Sequence, residues 1–263
     1  MRFGCGNSRM RQSSWRVLAG IVFLWIASAG FPWLAPAEGN AQGPAPANAP
    51  QLDEILAGMD KSAADFSSMV ATLEYTKVTV IVNDRSTQTG KIFFEKAAGQ
   101  TSAQSKNRTR VLIAFTSPAE KYVLFAGDKV SFYQPKIAEV DEYQLAQRQD
   151  VVEQFLLLGF GTPGAELRNA YQVSLRGAES VGGQQAFLLD LTPKSPKVAA
   201  QLQRIQLWIS PQNWEPIQQK FYEPGGDYVI ARYSDLKLNG KLQDKDFRLP
   251  LKGKVRTVRP QGS

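Results

Sequence analysis

The chain has 263 residues, 31 Lys+Arg against 24 Asp+Glu, and no histidine. The missing histidine excludes imidazole chemistry, from the Ser-His-Asp triad to His-ligated zinc and the imidazole pH switch. The single cysteine, Cys5, stands four residues from the start and can build neither an intramolecular disulfide nor a cysteine metal cluster.

Arg2, Arg9, Arg11 and Arg16 precede an apolar run from Val17 to Ala29, and Ala35-Pro36-Ala37 follows as a small-residue cleavage site. A basic, then apolar, then small-residue order predicts a secretory signal peptide over 1–37 and export to the periplasm as a soluble protein. The alternative is an uncleaved anchor, but the apolar run is shorter than the ~20 residues a span needs. Cys5 lies before the apolar run, where no bacterial lipobox places its cysteine, so no acyl anchor is expected. Residues 1–37 carry four of the arginines and no acid, so much of the +7 charge is a targeting feature and no nucleic-acid partner is expected. Residues 38–50, rich in Ala, Pro and Gly, read as a disordered lead-in to one domain over 51–263.

Within that domain Leu52, Ile55, Leu56 and Met59 recur at helical spacing, predicting an amphipathic helix to about Phe66. A long strand follows from Met69 to Val82, with Asn83-Asp84-Arg85 as its turn, then strands over 87–96 and 110–116, the latter stopped by Pro118. Gly127-Asp128 joins strands 121–126 and 129–134 as a hairpin, and 136–143 continues the meander. The pattern breaks at 145–158, whose Leu145, Val151, Val152, Phe155 and Leu156 share a helical stripe ended by Gly159. A short helix over 165–170 and strands over 171–177, 185–191, 205–210, 216–222 and 228–238 complete a β-rich domain with sandwich or barrel spacing.

Motifs that would signal chemistry do not hold. Gly159 to Gly164 matches G-x-G-x-x-G, but its flanks read antiparallel rather than βαβ, so it reads as a turn between helices and no cofactor is expected. Glu139/Asp141 and Asp244/Asp246 are neighbouring acids without a second converging cluster, which gives no catalytic pair and no metal site. The protein is expected not to be an enzyme. More telling are the pairs Phe93-Phe94, Phe132-Tyr133 and Phe221-Tyr222, which put bulk on both faces of the sheet. One face is core; the other needs a cover or a ligand, and helix 145–158 is either a removable cover or part of a permanent core.

Several segments, in order, resemble the outer-membrane lipoprotein carrier (LolA) family. They are Ser67-Ser68-Met69-Val70-Ala71-Thr72-Leu73, Gly90-Lys91-Ile92-Phe93-Phe94, Thr116-Ser117-Pro118, Phe132-Tyr133-Gln134-Pro135, Leu191-Thr192-Pro193-Lys194, Leu207-Trp208-Ile209, and Leu236 to Asn239 with Phe247 and Pro250. The resemblance implies an unclosed antiparallel β-barrel, a half-barrel, with helices forming a lid over an apolar cavity that takes lipoprotein acyl chains. It implies acylated lipoproteins as cargo, an inner-membrane ABC-type releasing complex as donor, an outer-membrane acceptor where one exists, and a monomer. The same fold resembles a periplasmic lipid-sensing module of envelope-stress regulation and carriers of other lipids, such as glycolipids or hopanoids, and these remain alternatives.

Period-2 alternation assigns an inward set, to which the resemblance gives the lipid-binding role: Met69, Ala71, Leu73, Ile92, Phe94, Val111, Ile113, Phe115 and Phe132, extended by Leu188, Leu207, Ile217 and Phe221, with Phe155 and Leu156 from the lid. The family carries an arginine near the end of its second strand that holds the lid closed. Lys96 stands at that position and lacks the planar guanidinium fork, so it is either a weaker gate or a solvated strand-end charge.

Overall fold

The computed structural model describes residues 51–96, 109–145 and 158–259. Helix α1 (Leu52–Asp65) starts at a capping box in which the Gln51 N–H donates to Glu54 Oε2 at 3.1 Å, with Asp53 and Glu54 favouring the positive end of the helix dipole. Its stripe of Ile55, Leu56, Met59 and Ala63 is buried, as the helical spacing predicts.

Twelve strands follow: β1 (Ser68–Thr79), β2 (Asp84–Glu95), β3 (Arg110–Ser117), β4 (Lys121–Ala126), β5 (Lys129–Gln134), β6 (Glu139–Gln144), β7 (Tyr171–Val181), β8 (Gln184–Pro193), β9 (Arg204–Ile209), β10 (Pro216–Tyr222), β11 (Tyr228–Leu238) and β12 (Arg256–Val258). Short helices α2 (Gly164–Ala170) and α3 (Pro196–Ala199) sit between them. All twelve strands form one sheet in the order β12-β6-β5-β4-β3-β2-β1-β11-β10-β9-β8-β7. Two meanders, β1 to β6 and β7 to β11, meet where β1 pairs antiparallel with β11. The end strands β7 and β12 do not pair with each other, so the sheet stays open as a half-barrel, the expected architecture.

Departures from the expected elements have local causes. β1 ends at Thr79, not Val82, because Val80 to Asn83 close a turn in which the Asn83 N–H donates to the Val80 carbonyl at 3.1 Å and Asn83 takes φ +50°. Ahead of β6, Pro135–Ile137 forms a single 3-10 turn and Ala138 is left-handed, so the strand begins at Glu139. β7 runs past its predicted end to Val181 through a bulge at Gly177, whose φ of +127° suits glycine. α3 and β12 carry too little periodicity to be read from sequence. The predicted helix 145–158 falls almost wholly outside the described residues.

The outer face of the sheet is covered locally toward both flanks, while Glu74, Lys91 and Arg232 in its middle are exposed. On the β3 side, Phe247 is buried beneath the Arg110 guanidinium, 4.4 Å from the ring centre, and the Lys252 N–H donates to Tyr133 Oη at 3.3 Å. Toward β7, the Asp190 carboxylate on β8 is 4 % exposed and accepts from Arg176 Nε at 3.0 Å and Arg204 Nε at 2.8 Å.

Candidate functional site

Paired residues of an antiparallel sheet share a face, so the register lays out the inner surface row by row. One row runs Met69, Phe94, Val111, Phe125, Val130 from β1 to β5, and the next runs Ala71, Ile92, Ile113, Val123, Phe132. A third carries Leu73, Gly90 and Phe115. These side chains form one apolar cluster, to which Tyr233 and Ala231 of β11 also belong. Phe132 is only partly buried and packs against its margin.

Past β11 the inner face continues as a second cluster of Leu189, Leu191, Ile205, Leu207, Ile209 and Phe221, and α1 lies over it through Ile55, Leu56 and Met59. The segment 158–163 bridges the two clusters. Leu158 belongs to the second, while Phe160 belongs to the first and meets Tyr233 edge-on at 4.8 Å between ring centres. Phe66, at the end of α1, stacks on Phe94 at 5.5 Å.

Two buried polar side chains hold this cover. Gln219 sits in the inner-face row between Ala231 and Leu207 and is 1 % exposed. Its Nε2 donates to the Leu158 carbonyl, and its Oε1 accepts from Tyr233 Oη at 2.8 Å. Burial pushes the Tyr233 phenol upward, which keeps it a neutral donor. Glu215, fully buried in the β9–β10 connection, accepts from Ser62 Oγ of α1 at 2.5 Å and from the Gly161 N–H at 3.2 Å. Burial raises its carboxyl to about 7, against the opposing pull of these hydrogen bonds and of the Lys96 charge.

The glycines that mimic a dinucleotide fingerprint serve packing. A Cβ on Gly161, whose φ is +54°, would stand 2.3 Å from the Phe66 ring, and one on Gly164 would stand 2.7 Å from the Leu56 backbone. They let this loop press onto α1 and carry Phe160 into the apolar face.

Of the predicted lining residues, Met69, Ala71, Leu73, Ile92, Phe94, Val111, Ile113 and Phe115 are brought together in the first cluster, with Phe132 at its margin; Leu207 and Phe221 lie in the second. Leu188 and Ile217 do not join them. They pack with Ala186 and Trp208 in a separate cluster. Leu188 pairs with Trp208, one residue out of phase with the inward Leu189–Leu207 pair, and a bulge between Pro216 and Gln218 shifts Ile217 out of the simple alternation. Phe155 and Leu156 lie outside the described residues. Lys96 is exposed at the end of β2, where its backbone N–H donates to the Ser67 carbonyl at 2.7 Å.

Sequence reasoning missed Val123, Phe125 and Val130, although their strands alternate visibly, and it missed Phe160, Gln219 and Glu215. Only the fold brings those last three together.

Residues 85–250, more than half of the chain, match the family model for "Outer membrane lipoprotein carrier protein LolA". The chain belongs to this family. A comparison with curated proteins finds no match. Among solved structures, the LolA-family chain is similar to MucB at 15% identity and TM-score 0.47, covering 81% of this chain and 67% of that one. It is similar to an uncharacterized conserved protein of Thermus thermophilus at 12% identity and TM-score 0.46, covering 79% and 98%. The lipoprotein LppX of Mycobacterium tuberculosis is similar at 11% identity and TM-score 0.42, covering 73% and 99%. With these scores below 0.5, the assignment to the LolA family rests on the match over 85–250. Among the described residues no group of acids and cysteines is disposed to hold a metal ion, and no helix is long and apolar enough to cross a membrane.

Proposed function

We propose that the protein is a periplasmic carrier that takes lipoprotein acyl chains onto its inner face and ferries them from the inner to the outer membrane. The observation that carries this reading is the continuous apolar face of β1 to β5 and β11, closed by a bridging segment whose Leu158 carbonyl and Gly161 N–H are tied to the sheet side by two buried side chains. Such a cover is displaced at the cost of few polar contacts. The apolar side chains beneath it then exchange Phe160 and its neighbours for acyl chains.

An acyl chain in water exposes many CH₂ groups, each worth about 0.8 kcal/mol on burial, so lipid anchors need an apolar shelter to cross an aqueous space. The carrier performs no covalent step. Transfer runs from weaker to stronger apolar sites, with an inner-membrane ABC-type complex as donor and an outer-membrane acceptor, where one exists, as recipient. In this reading residues 1–37 are the export signal, 38–50 a lead-in, and 51–263 a carrier domain that acts as a monomer.

The test is native mass spectrometry of the purified protein, followed by titration with a triacylated lipopeptide and its unacylated twin. Binding of the acylated form alone supports the carrier. Co-purified phospholipid or glycolipid with no lipopeptide binding would reassign the cargo, and binding of neither would overturn the proposal.

A further inference from the structure

The β1–β2 turn places three large apolar residues in solvent: Val80, Ile81 and Val82 are 50%, 85% and 68% exposed. Folding does not ask for them. The middle positions of a tight turn favour Gly, Asn, Asp or Pro, and β-branched residues are poor there. Nor is the tip loosely held, because the Val80 N–H donates to Asp227 Oδ1 at 2.8 Å, which fastens it to the neighbouring β10–β11 turn.

Two residues below the tip, a cross-strand row runs Arg85, Val78, Tyr228, Tyr222, Arg204. The Lys220 ammonium lies 4.0 Å from the Tyr228 ring centre and 4.6 Å from that of Tyr222. Apolar residues outermost, then tyrosines and cations, is the order in which side chains partition across a lipid–water boundary. Val80 is two residues beyond Val78, so the apolar tip stands about 7 Å past the tyrosine row at strand rise, within the ~5–10 Å to which interfacial segments sink. Asp84 and Asp227 beside the tip offset Arg85 and Lys77, so apolar burial rather than charge is the driving interaction.

We propose that Val80-Ile81-Val82 is a lipid-insertion tip that seats the protein on a membrane surface. The proposal rests on the carrier reading for its purpose, since a carrier of lipid anchors works at membranes, but its geometry is independent of the inner face. All three side chains are already in solvent, and a fluid lipid surface desolvates them together without a shaped pocket.

The experiment uses the purified protein with sucrose-loaded vesicles of phosphatidylcholine, alone or with phosphatidylglycerol. Ile81→Asp is expected to reduce sedimentation with both vesicle types at least tenfold, with Tm unchanged because the site is exposed. The tryptophan introduced by Ile81→Trp should blue-shift on vesicles and be quenched by lipids brominated near the headgroup. Emission from that indole that stays water-like, or a vesicle affinity untouched by Ile81→Asp, would overturn the proposal. So would binding only to anionic vesicles at low salt, or photocrosslinking from position 81 to protein rather than lipid. Lipopeptide binding without vesicles separates the two readings: Ile81→Asp should keep it. Its absence from wild type would sink the carrier while leaving the tip to stand or fall on the vesicles.

Discussion

Ser62 of α1 and Glu215 of the β9–β10 connection are joined by a 2.5 Å hydrogen bond from the serine hydroxyl to the carboxylate, whose second oxygen accepts from the Gly161 N–H. One buried carboxylate therefore links the helix, the bridging segment and the sheet. Burial, the dominant cause, raises this carboxyl to about 7. A folded-state value above the unfolded one means that the fold binds the proton more tightly, so the group favours folding most below about pH 4.5 and this contribution is lost as pH rises through 7. The loss is on the order of a few kcal/mol. Glu215→Gln is expected to flatten the dependence of Tm on pH between 4.5 and 7, and to match or exceed wild type above pH 7. Parallel Tm curves for the two proteins would refute it.

Gly90 faces Leu73 on β1 and Phe115 on β3, next to a bulge in the β2–β3 pairing. A Cβ there would stand 2.1 Å from the Ala114 carbonyl oxygen and 2.7 Å from Phe115 Cα. Both are backbone atoms, so no rotamer relieves the clash and strands must part. Gly90→Ala is expected to destabilise by about 1–3 kcal/mol, the usual cost of overpacking. A urea midpoint equal to wild type would show that β3 yields more easily than its pairing implies.

Much of this architecture was legible in the sequence because its strands alternate. The inward set from Met69 to Phe115 follows from period two along β1 to β3, and the half-barrel with a helical cover followed from the family resemblance. Leu188 and Ile217 mark the limit of that method. β8, β9 and β10 are buried on both faces, so Leu188 and Leu189 are equally apolar and only pairing decides which turns inward. Glu215 and Gln219 were invisible for another reason. Gln219 in its strand and Glu215 in its connection both read as solvent-facing unless their partners are known, and those partners lie elsewhere in the chain, at Ser62, Leu158, Gly161 and Tyr233.

Asp190 supplies a stability prediction of opposite sign to Glu215. Burial works to raise its carboxyl, but the hydrogen bonds and charges of Arg204 and Arg176 outweigh it and hold the group below the ordinary range. Its contribution is therefore present above the unfolded value and lost as pH falls through the folded one, which puts the window below about pH 4. Asp190→Asn should cost about 1–3 kcal/mol at pH 7, and the gap from wild type should narrow in acid. Chemical denaturation at pH 7 and pH 3 checks both halves; a gap that widens in acid would contradict the assignment.

Phe160 of the bridging segment packs into the apolar face, at 3 % exposure and in edge contact with Tyr233. If acyl chains bind there, the phenylalanine competes with them for the same surface. Phe160→Ala removes the competitor and leaves an apolar cavity beside Tyr233, which costs about 3–5 kcal/mol of stability. Two effects should then move in opposite directions: Tm falls, while affinity for an acylated lipopeptide or a fluorescent fatty-acid probe rises. A purely structural phenylalanine would lower Tm and leave probe affinity unchanged or reduced. Measuring both on the same preparation, with Leu188→Ala on the outer cluster as the control that lowers Tm alone, decides whether the inner face is a binding surface held shut or only a core.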